Sequence, residues 1–314
     1  FPTRRSSDLE VGDIQSFIMY IRNFTQPITQ VAQVTNLLQS TAAAAERVFE
    51  FLDEEEEDQT VDNPVRIEGL EGRVDFNNVH FGYNSNKTII NDFTAHVKPG
   101  QKVAIVGPTG AGKTTMVKLL MRFYDVNSGE ILIDGHNIKD FNRSELREMF
   151  GMVLQDTWLF EGTIAENIAY GKMDATREEI IAAAKAACCD HFIRTLEHGY
   201  DTVISSETSN VSQGQMQLLT IARAMLTNPT VMILDEATSS VDTRTEVEIQ
   251  KALSRLMKDK TSFVIAHRLS TIQNADMILV VKDGDIIERG THQSLLEQNG
   301  FYASLYYSQF EVAN

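Results

Sequence analysis

Residues 107–115 read GPTGAGKTT, a glycine-rich run with a specific spacing. The run contains, in order, a glycine, four free positions, a glycine, a lysine and a threonine. A loop with this spacing surrounds phosphate oxygens with its backbone N–H groups. In this pattern Lys113 reaches the terminal phosphates and Thr114 ligates magnesium. The preceding KVAIV (102–106) is typical of a buried strand and the following MVKLLMRFY (116–124) has helical spacing, a context that disfavours a chance match. The stretch predicts a nucleotide-binding loop, compatible with a kinase, a GTPase, a DNA-repair ATPase or a transporter.

The amino-acid composition limits the kinds of partner that this chain is expected to bind. The chain has 28 Lys and Arg against 44 Asp and Glu, a formal net charge of -16. This charge opposes broad attraction to phosphate backbones or anionic lipid, so nucleic acid is not an expected partner. Cys188 and Cys189 are adjacent and lack the spacing of a disulfide framework or a zinc site. This use of cysteine is compatible with a protein in a reducing cytosolic compartment.

The first nine residues, FPTRRSSDL, do not match the rest of the chain in character. They lack a starting Met and an apolar core, so they are not a secretory signal. The stretch resembles the translated read-through of a sequencing adapter. We therefore expect residues 1–9 to be a non-native leader, with native sequence beginning near Glu10 and upstream sequence missing.

The span from Asn23 to Ala45 carries no charged residue over 23 positions, yet 11 of them are Asn, Gln, Ser or Thr. Apolar residues recur there at three- and four-residue spacing, beginning slightly upstream: Phe17, Ile18, Ile21, Phe24, Ile28, Val31, Val34 and Leu38. An amphipathic helix on a soluble core is one interpretation. The other is a membrane helix whose polar side lines a wet cavity, although no run of 18 apolar residues occurs.

The same helix is predicted to be long and to end at an acidic run. A continuous helix from Ile14 to Leu52 would measure about 58 Å, more than a bilayer core of roughly 30 Å, with a kink at Pro27. The DEEEED run at 53–58 is expected to be a solvated linker, because it lacks the glycine turn and ligand spacing of a calcium loop.

From about Arg66 the pattern is that of an α/β domain. Strand candidates are RVDFNNVHF, KVAIV, EILID, GMVLQ, TVMILD, SFVIA and MILVVKDGDIIERG. Helical candidates follow Lys113 and cover 176–187, 213–227 and 243–258.

The segment TVMILDEATSSVD (230–242) is an apolar run that ends in two carboxylates. A buried strand that delivers Asp235 at its end suits an acid that organises magnesium. Glu236 beside it has the chemistry to orient and deprotonate a water. An acid pair that caps the next helix is the alternative.

At VSQGQ (211–215) the sequence resembles a family. This pentapeptide is similar to the LSGGQ signature of ATP-binding cassette (ABC) ATPases, and QLLTIARA after it is similar to their signature helix. The other motifs occur in the family's order: Tyr83 in HFGY, Gln155 in GMVLQDTW, SSVD at 239–242 and His267 in VIAHRLS. Two further segments are similar to bacterial ABC exporters of the multidrug or lipid type: DTWLFEGTIAENIAYG and FTQPITQ…AAAAERVFEFLDEEE.

The resemblance implies a fold and a division of the chain. The implied fold is a phosphate-loop ABC ATPase domain, with a RecA-like core, an antiparallel β subdomain and an α-helical signature subdomain. One long transmembrane helix precedes it. The implied limits are 10–60 for the helix and acidic linker and 61–314 for the nucleotide-binding domain.

The resemblance also implies ATP and Mg²⁺ at named residues. The implied nucleotide contacts are Tyr83, which stacks on adenine, with Gly107, Pro108, Thr109, Gly110, Ala111, Gly112, Lys113, Thr114, Thr115, Ser212, Gly214 and Gln215. The implied magnesium residues are Thr114, Gln155 and Asp235. The implied catalytic residues are Glu236, His267, Lys113 and Gln155.

The implied partner is a second ABC half-transporter subunit in the inner or plasma membrane, with the ATPase domain in the cytoplasm. In this family the signature of one domain caps the γ-phosphate held by the other, and Ser212 retains that donor. Gln213 stands where the family usually has Gly, and Met216 where Arg or Lys is common. These departures favour a heterodimer with unequal sites over a homodimer, which remains the alternative.

Two further hypotheses concern function. The segment Trp158, Leu159 and Phe160 resembles the family's contact to the membrane domain, and a place in the domain core is its alternative. A soluble importer ATPase or a non-transport ABC ATPase is the alternative for the chain as a whole. The transported substrate is not readable from this sequence.

Overall fold

The structure is a computed structural model that describes residues 10–84, 87–154, 157–205, 211–235, 242–266 and 269–308. The chain divides into two compact units, with the division between Asp58 and Gln59. The predicted domain limits, residues 10–60 and 61–314, remain a prediction, because a division into compact units does not test whether each part folds on its own.

The first unit is one helix, α1, at Val11–Leu52. It begins with a capping box, in which Glu10 and Asp13 satisfy each other's backbone N–H groups, and it continues through Pro27. The single long helix predicted from the periodicity is thus confirmed, and residues 53–58 after it are exposed. In the part of the chain that the structure describes, no helix combines the length and the apolar character needed to cross a membrane.

The second unit contains strands and helices in alternation. The strands are β1 Val74–Phe81, β2 Ile90–Val97, β3 Lys102–Val106, β4 Ser128–Ile133, β5 His136–Asn137, β6 Phe150–Val153, β7 Gly162–Thr163, β8 Val203–Ile204, β9 Val231–Asp235, β10 Thr261–Ile265, β11 Met277–Lys282 and β12 Asp285–Gly290. The helices are α2 Lys113–Leu120, α3 Arg143–Glu148, α4 Ile164–Ala169, α5 Arg177–Ala186, α6 Asp190–Thr195, α7 Gln213–Thr227, α8 Thr243–Leu256, α9 Leu269–Gln273, α10 His292–Glu297 and α11 Phe301–Tyr306. Short 3₁₀ turns cover Ile138–Asp140 and Gly199–Asp201.

The central sheet has six strands in the order β12-β11-β3-β10-β9-β6. The neighbours from β11 to β6 are parallel, and β12 pairs antiparallel with β11 as a hairpin. Strands buried on both faces read as continuous apolar runs, which explains why KVAIV and VMILD were recognisable. A separate antiparallel sheet has the order β2-β1-β4-β5.

The alternation of side chains along β3 divides the interior into two cores. Val103 and Ile105 pack into one core with the antiparallel sheet, and Ala104 and Val106 into the other with helices α4 to α8. The expected α/β class, with a parallel core sheet, an antiparallel sheet and a helical part, is therefore confirmed.

Two of the differences from the sequence-based expectations have a physical reason in the structure. Helical spacing predicted a helix over 116–124, but α2 ends at Leu120 because Arg122 adopts a left-handed conformation with φ 53°. The strand β2 was missed, since the polar residues Asn91 and Asp92 interrupt its alternation. Ile90, Phe93, Ala95 and Val97 are its buried residues and were the available signal.

Candidate nucleotide-binding site

The phosphate loop joins the end of β3 to the start of α2 and depends on glycine at two places. A side chain at Gly107 would collide with the carbonyl oxygen of Val281. Gly112 precedes α2 with φ 103°, and a Cβ there would lie 2.8 Å from Ile90 Cδ1. The loop is therefore built by backbone, which leaves its N–H groups and the start of α2 as the groups available to an anion.

Lys113 is the first residue of α2 and bends back over the loop. Its ammonium donates hydrogen bonds to the carbonyl oxygens of Gly107 at 2.7 Å and Pro108 at 2.9 Å. Burial lowers the pKa of Lys113 from its ordinary value, and the negative charge of Asp235 opposes that shift. The lysine is thus held at the loop with a carboxylate in electrostatic range.

The other predicted loop residues differ in exposure. Pro108, Thr109, Gly110 and Thr114 are exposed, whereas Ala111 and Thr115 are buried. Exposed positions at the tip suit contact with a ligand, and buried ones anchor the loop to the domain.

Thr114 and Asp235, two of the three predicted magnesium residues, line one cavity of about 440 Å³. Asp235 is the last residue of β9, two strands away from β3 in the sheet. Because parallel strands place their carboxyl ends at one edge, the hydroxyl and the carboxylate reach the same space. Hard oxygen groups of this kind fit a magnesium ion.

Tyr83, the predicted base contact, lies two residues after the end of β1 and is 44% exposed. Its hydroxyl is 3.2 Å from the Thr115 hydroxyl on α2. The tertiary structure therefore brings the aromatic ring beside the phosphate loop, although 32 residues separate the two in sequence.

Ser212 and Gln215 form the start of α7. The Ser212 hydroxyl accepts a hydrogen bond from the Gln215 backbone N–H at 3.3 Å, and the Gln215 side chain accepts one from the Ser212 N–H at 2.9 Å. Gly214 is buried and Gln213 is exposed. Among the described residues, no hydrogen bond joins Ser212 to residues 107–115. The signature thus lies at a capped helix start and not in this chain's own phosphate loop.

Three predicted residues, Gln155, Glu236 and His267, lie outside the described residues, as does 239–241 of the SSVD motif.

The segment at Trp158 forms an aromatic cluster that sequence reasoning identified only in part. Trp158 is 59% exposed, so its alternative place in the core is wrong, whereas Leu159 packs against the core. The rings of Phe160 and Tyr170 lie 6.2 and 5.8 Å from that of Trp158. This leaves Trp158 available at the surface with aromatic support behind it.

Arg223 of α7 joins this cluster and was missed. Its guanidinium lies 5.9 Å from the Trp158 ring and 5.2 Å from the Tyr170 ring, and donates to the carbonyl oxygens of Asn167 at 2.9 Å and Trp158 at 3.3 Å. Burial lowers its pKa from the ordinary value. Arg223 is the only charged residue of α7, and this was the signal that could have identified it.

A parallel sheet that brings a glycine-rich loop, a lysine and an aspartate to one edge defines a phosphate-loop nucleotide-binding domain. The family model described as ABC transporter matches residues 90–239. The chain therefore contains an ABC transporter domain.

Similar proteins agree with this assignment. The chain is 54% identical over 297 residues to a fatty acid ABC transporter ATP-binding/permease protein of Mycobacterium bovis, covering 95% of this chain and 47% of that protein. It is 46% identical over 313 residues to an ATP-dependent lipid A-core flippase of Coxiella burnetii, covering 99% of this chain and 53% of that protein. The chain thus spans about half the length of the curated relatives it matches.

A solved structure of a bacterial Atm1-family ABC exporter with ATP bound is also similar. The TM-score is 0.73 at 37% identity, and the match covers 98% of this chain and 54% of the other.

Proposed function

We propose that this chain is the ATP-binding and ATP-hydrolysing part of an ABC exporter. It couples ATP-driven closure of two nucleotide-binding domains to export of a small or lipophilic substrate. The observation that supports this is the match of an ATP-binding/permease protein to 95% of the chain, which includes most of α1 as well as the nucleotide-binding unit. Relatives named for fatty acid and lipid A-core favour a lipophilic substrate.

ATP binds with its phosphates in the loop from Gly107 to Thr115 and its base on Tyr83. The loop N–H groups and Lys113 neutralise phosphate charge. The exposed ring of Tyr83 beside Thr115 supports this placement, since it offers an aromatic surface to a base.

Thr114, Asp235 and Gln155 hold Mg²⁺ in this proposal. The cavity shared by Thr114 and Asp235 supports two of the three ligands. When bound, the ion offsets negative charge on the nucleotide phosphates.

Glu236 orients the attacking water and accepts its proton, and His267 contacts the γ-phosphate. The position of Glu236 in sequence, directly after the strand that ends at Asp235, supports its role.

The second half of each site comes from a partner domain. Ser212, Gly214 and Gln215 cap the γ-phosphate bound by the partner's loop, and the Ser212 O–H remains available to donate because its oxygen is the acceptor in the helix cap. Gln213 places a side chain at the start of α7, where glycine would let backbone approach phosphate closely. We therefore favour an unequal partner subunit over a second copy.

Helix α1 belongs to the membrane domain, packed among its other helices, with the ATPase domain on the cytoplasmic side. None of its residues is buried within this chain, including the apolar stripe from Phe17 to Leu38. The hydroxyls of Thr25 and Thr35 donate to carbonyl oxygens four residues earlier, at 2.9 Å each. Polar groups paired inside the helix are compatible with an apolar environment. In the second unit, the exposed cluster at Trp158 is the surface that we propose for contact with coupling helices of the exporter other than α1.

Nucleotide binding and turnover test this proposal in the whole chain, kept in detergent. Glu236→Gln should bind ATP and lose nearly all hydrolysis, whereas Lys113→Ala should lose binding. Glu197→Gln, an exposed carboxylate elsewhere, is the matched control. Near-normal hydrolysis in Glu236→Gln would reject the base, and absence of ATP binding by the unaltered chain would reject the function.

Light scattering after size-exclusion chromatography tests the partner with the same Glu236→Gln chain. A dimer that forms with ATP and dissociates without it would favour identical subunits. A chain that binds ATP and stays monomeric would support an unequal partner.

A further inference from the structure

Among the residues that the structure describes, the ring of Tyr83 has two aromatic neighbours. Phe81 and Tyr124 each lie with ring centroids 5.0 Å from that of Tyr83, at interplanar angles of 83° and 84°. Phe81 is buried in β1 two residues earlier, whereas Tyr124 follows α2 and is 42% exposed. Tyr124 therefore supplies the contact that only the tertiary fold creates.

Tyr124 lies in a segment, residues 121–127, that is anchored at its start. The Arg122 side chain is buried and donates to the Phe141 carbonyl at 3.0 Å and to Asp125 at 3.0 Å. Arg143 donates to the other oxygen of Asp125 at 2.8 Å. Two guanidinium groups thus fix the backbone on both sides of Tyr124.

The end of this segment is anchored to the strand that leads to Tyr83. The Asn127 side chain accepts a hydrogen bond from the Gly82 N–H at 2.7 Å. The Asn127 backbone N–H donates to the His80 carbonyl at 3.0 Å. The same segment therefore holds the backbone before Tyr83 and supports its ring through Tyr124.

An exposed aromatic side chain loses rotamer freedom when a planar ligand stacks on it, and this loss weakens binding. A ring already held by its neighbours loses less. We propose that Tyr124 is a positioning residue, which keeps the Tyr83 ring in the orientation that receives the nucleotide base. This inference rests on the proposed ATP binding and extends it to Tyr124, which lies beside Tyr83 and lines the same cavity as Thr114 and Asp235.

The test compares a ligand with a base to one without. Calorimetry on the whole chain in detergent measures the Kd of the β,γ-imido analogue of ATP, and displacement of that analogue measures the Kd of inorganic tripolyphosphate. Tyr124→Leu removes the aromatic contact, and Tyr124→Phe keeps the ring. Tyr307→Leu removes an exposed tyrosine elsewhere and is the control.

Tyr124→Leu should weaken the analogue about three- to tenfold, the range expected for one aromatic pair, and leave tripolyphosphate within about twofold. Tyr124→Phe and Tyr307→Leu should match the unaltered chain. An equal loss for both ligands would overturn the inference, because Tyr124 would then act through the fold or the phosphate loop. Unchanged binding of the analogue would also overturn it.

The result separates this inference from the proposed function. If the unaltered chain binds the analogue no more tightly than tripolyphosphate, the base contact fails while phosphate binding stands. If it binds neither ligand, the proposed function fails as well.

Discussion

Replacing Asn167 by leucine should loosen the segment that carries Trp158. Asn167 is fully buried in α4. Its side chain accepts a hydrogen bond from the Phe160 N–H at 3.0 Å and donates to the carbonyl oxygens of Phe160 at 3.0 Å and Thr163 at 3.1 Å. It also accepts one from Arg223 at 3.3 Å. One amide thus joins two parts of the segment after Trp158 to α7.

The magnitude follows from these bonds. Leucine has a similar size and no polar atom, so Asn167→Leu leaves the backbone groups of Phe160 and Thr163 without this partner. At about 1 kcal/mol for each of three backbone bonds, the free energy of unfolding should fall by about 3 kcal/mol. In a unit of this size about 1 kcal/mol corresponds to roughly 2–4 °C, so Tm should fall by roughly 6–12 °C.

Urea unfolding of the whole chain, followed by circular dichroism and Trp158 fluorescence, measures the loss. Gln298→Leu, an exposed amide at the end of α10, is the control and should change the free energy of unfolding by less than about 0.5 kcal/mol. A loss below about 1 kcal/mol in Asn167→Leu would refute the reasoning, because the backbone groups would then have found other partners.

Three further results are expected. Ser212→Ala should lower the free energy of unfolding by about 1 kcal/mol through loss of the α7 cap, whereas Ser212→Thr should retain most of it; urea unfolding decides, and equal losses would contradict the cap. Burial lowers the pKa of His292, so the unfolded chain takes up a proton before the folded chain does as the pH falls. The contribution of His292 to the free energy of unfolding is therefore full above about pH 6.5 and declines below it. The difference in Tm between about pH 7.5 and 5.5 should be smaller in His292→Phe than in the unaltered chain. Burial raises the pKa of the Cys189 thiol, so iodoacetamide should label Cys188 but not Cys189 until the chain unfolds, as mass spectrometry would report; early labelling of Cys189 would contradict its burial.

The local elements could be predicted because their causes are local. The glycine spacing at 107–112 and the apolar run before it predicted the strand β3 and its loop, since each depends on adjacent residues. The predicted helix at 213–227 coincides with α7, whose first residue follows the capping Ser212. The roles of Gln155, Glu236 and His267 remain predictions that rest on motif order.

Local sequence patterns predicted an element less well where a backbone conformation or pairing with another strand determined whether the element forms or where it ends. The end of α2 depends on the left-handed Arg122, which is stabilised by contacts with the distant Phe141. Strand β2 forms because β1 pairs with it, in spite of the polar residues Asn91 and Asp92.

The sequence by itself determined which residues are available to bind phosphate and which periodic segments become helices. Only the tertiary structure decided which side chains meet. Thr114 reaches the cavity of Asp235 because β3 and β9 end at one edge of the sheet, and Arg223 reaches Asn167 across 56 residues. Tyr124 meets Tyr83 because Asn127, in the same segment as Tyr124, accepts a hydrogen bond from the backbone N–H of Gly82 next to Tyr83. Such contacts follow from chain topology and long-range packing, which spacing along the sequence does not encode.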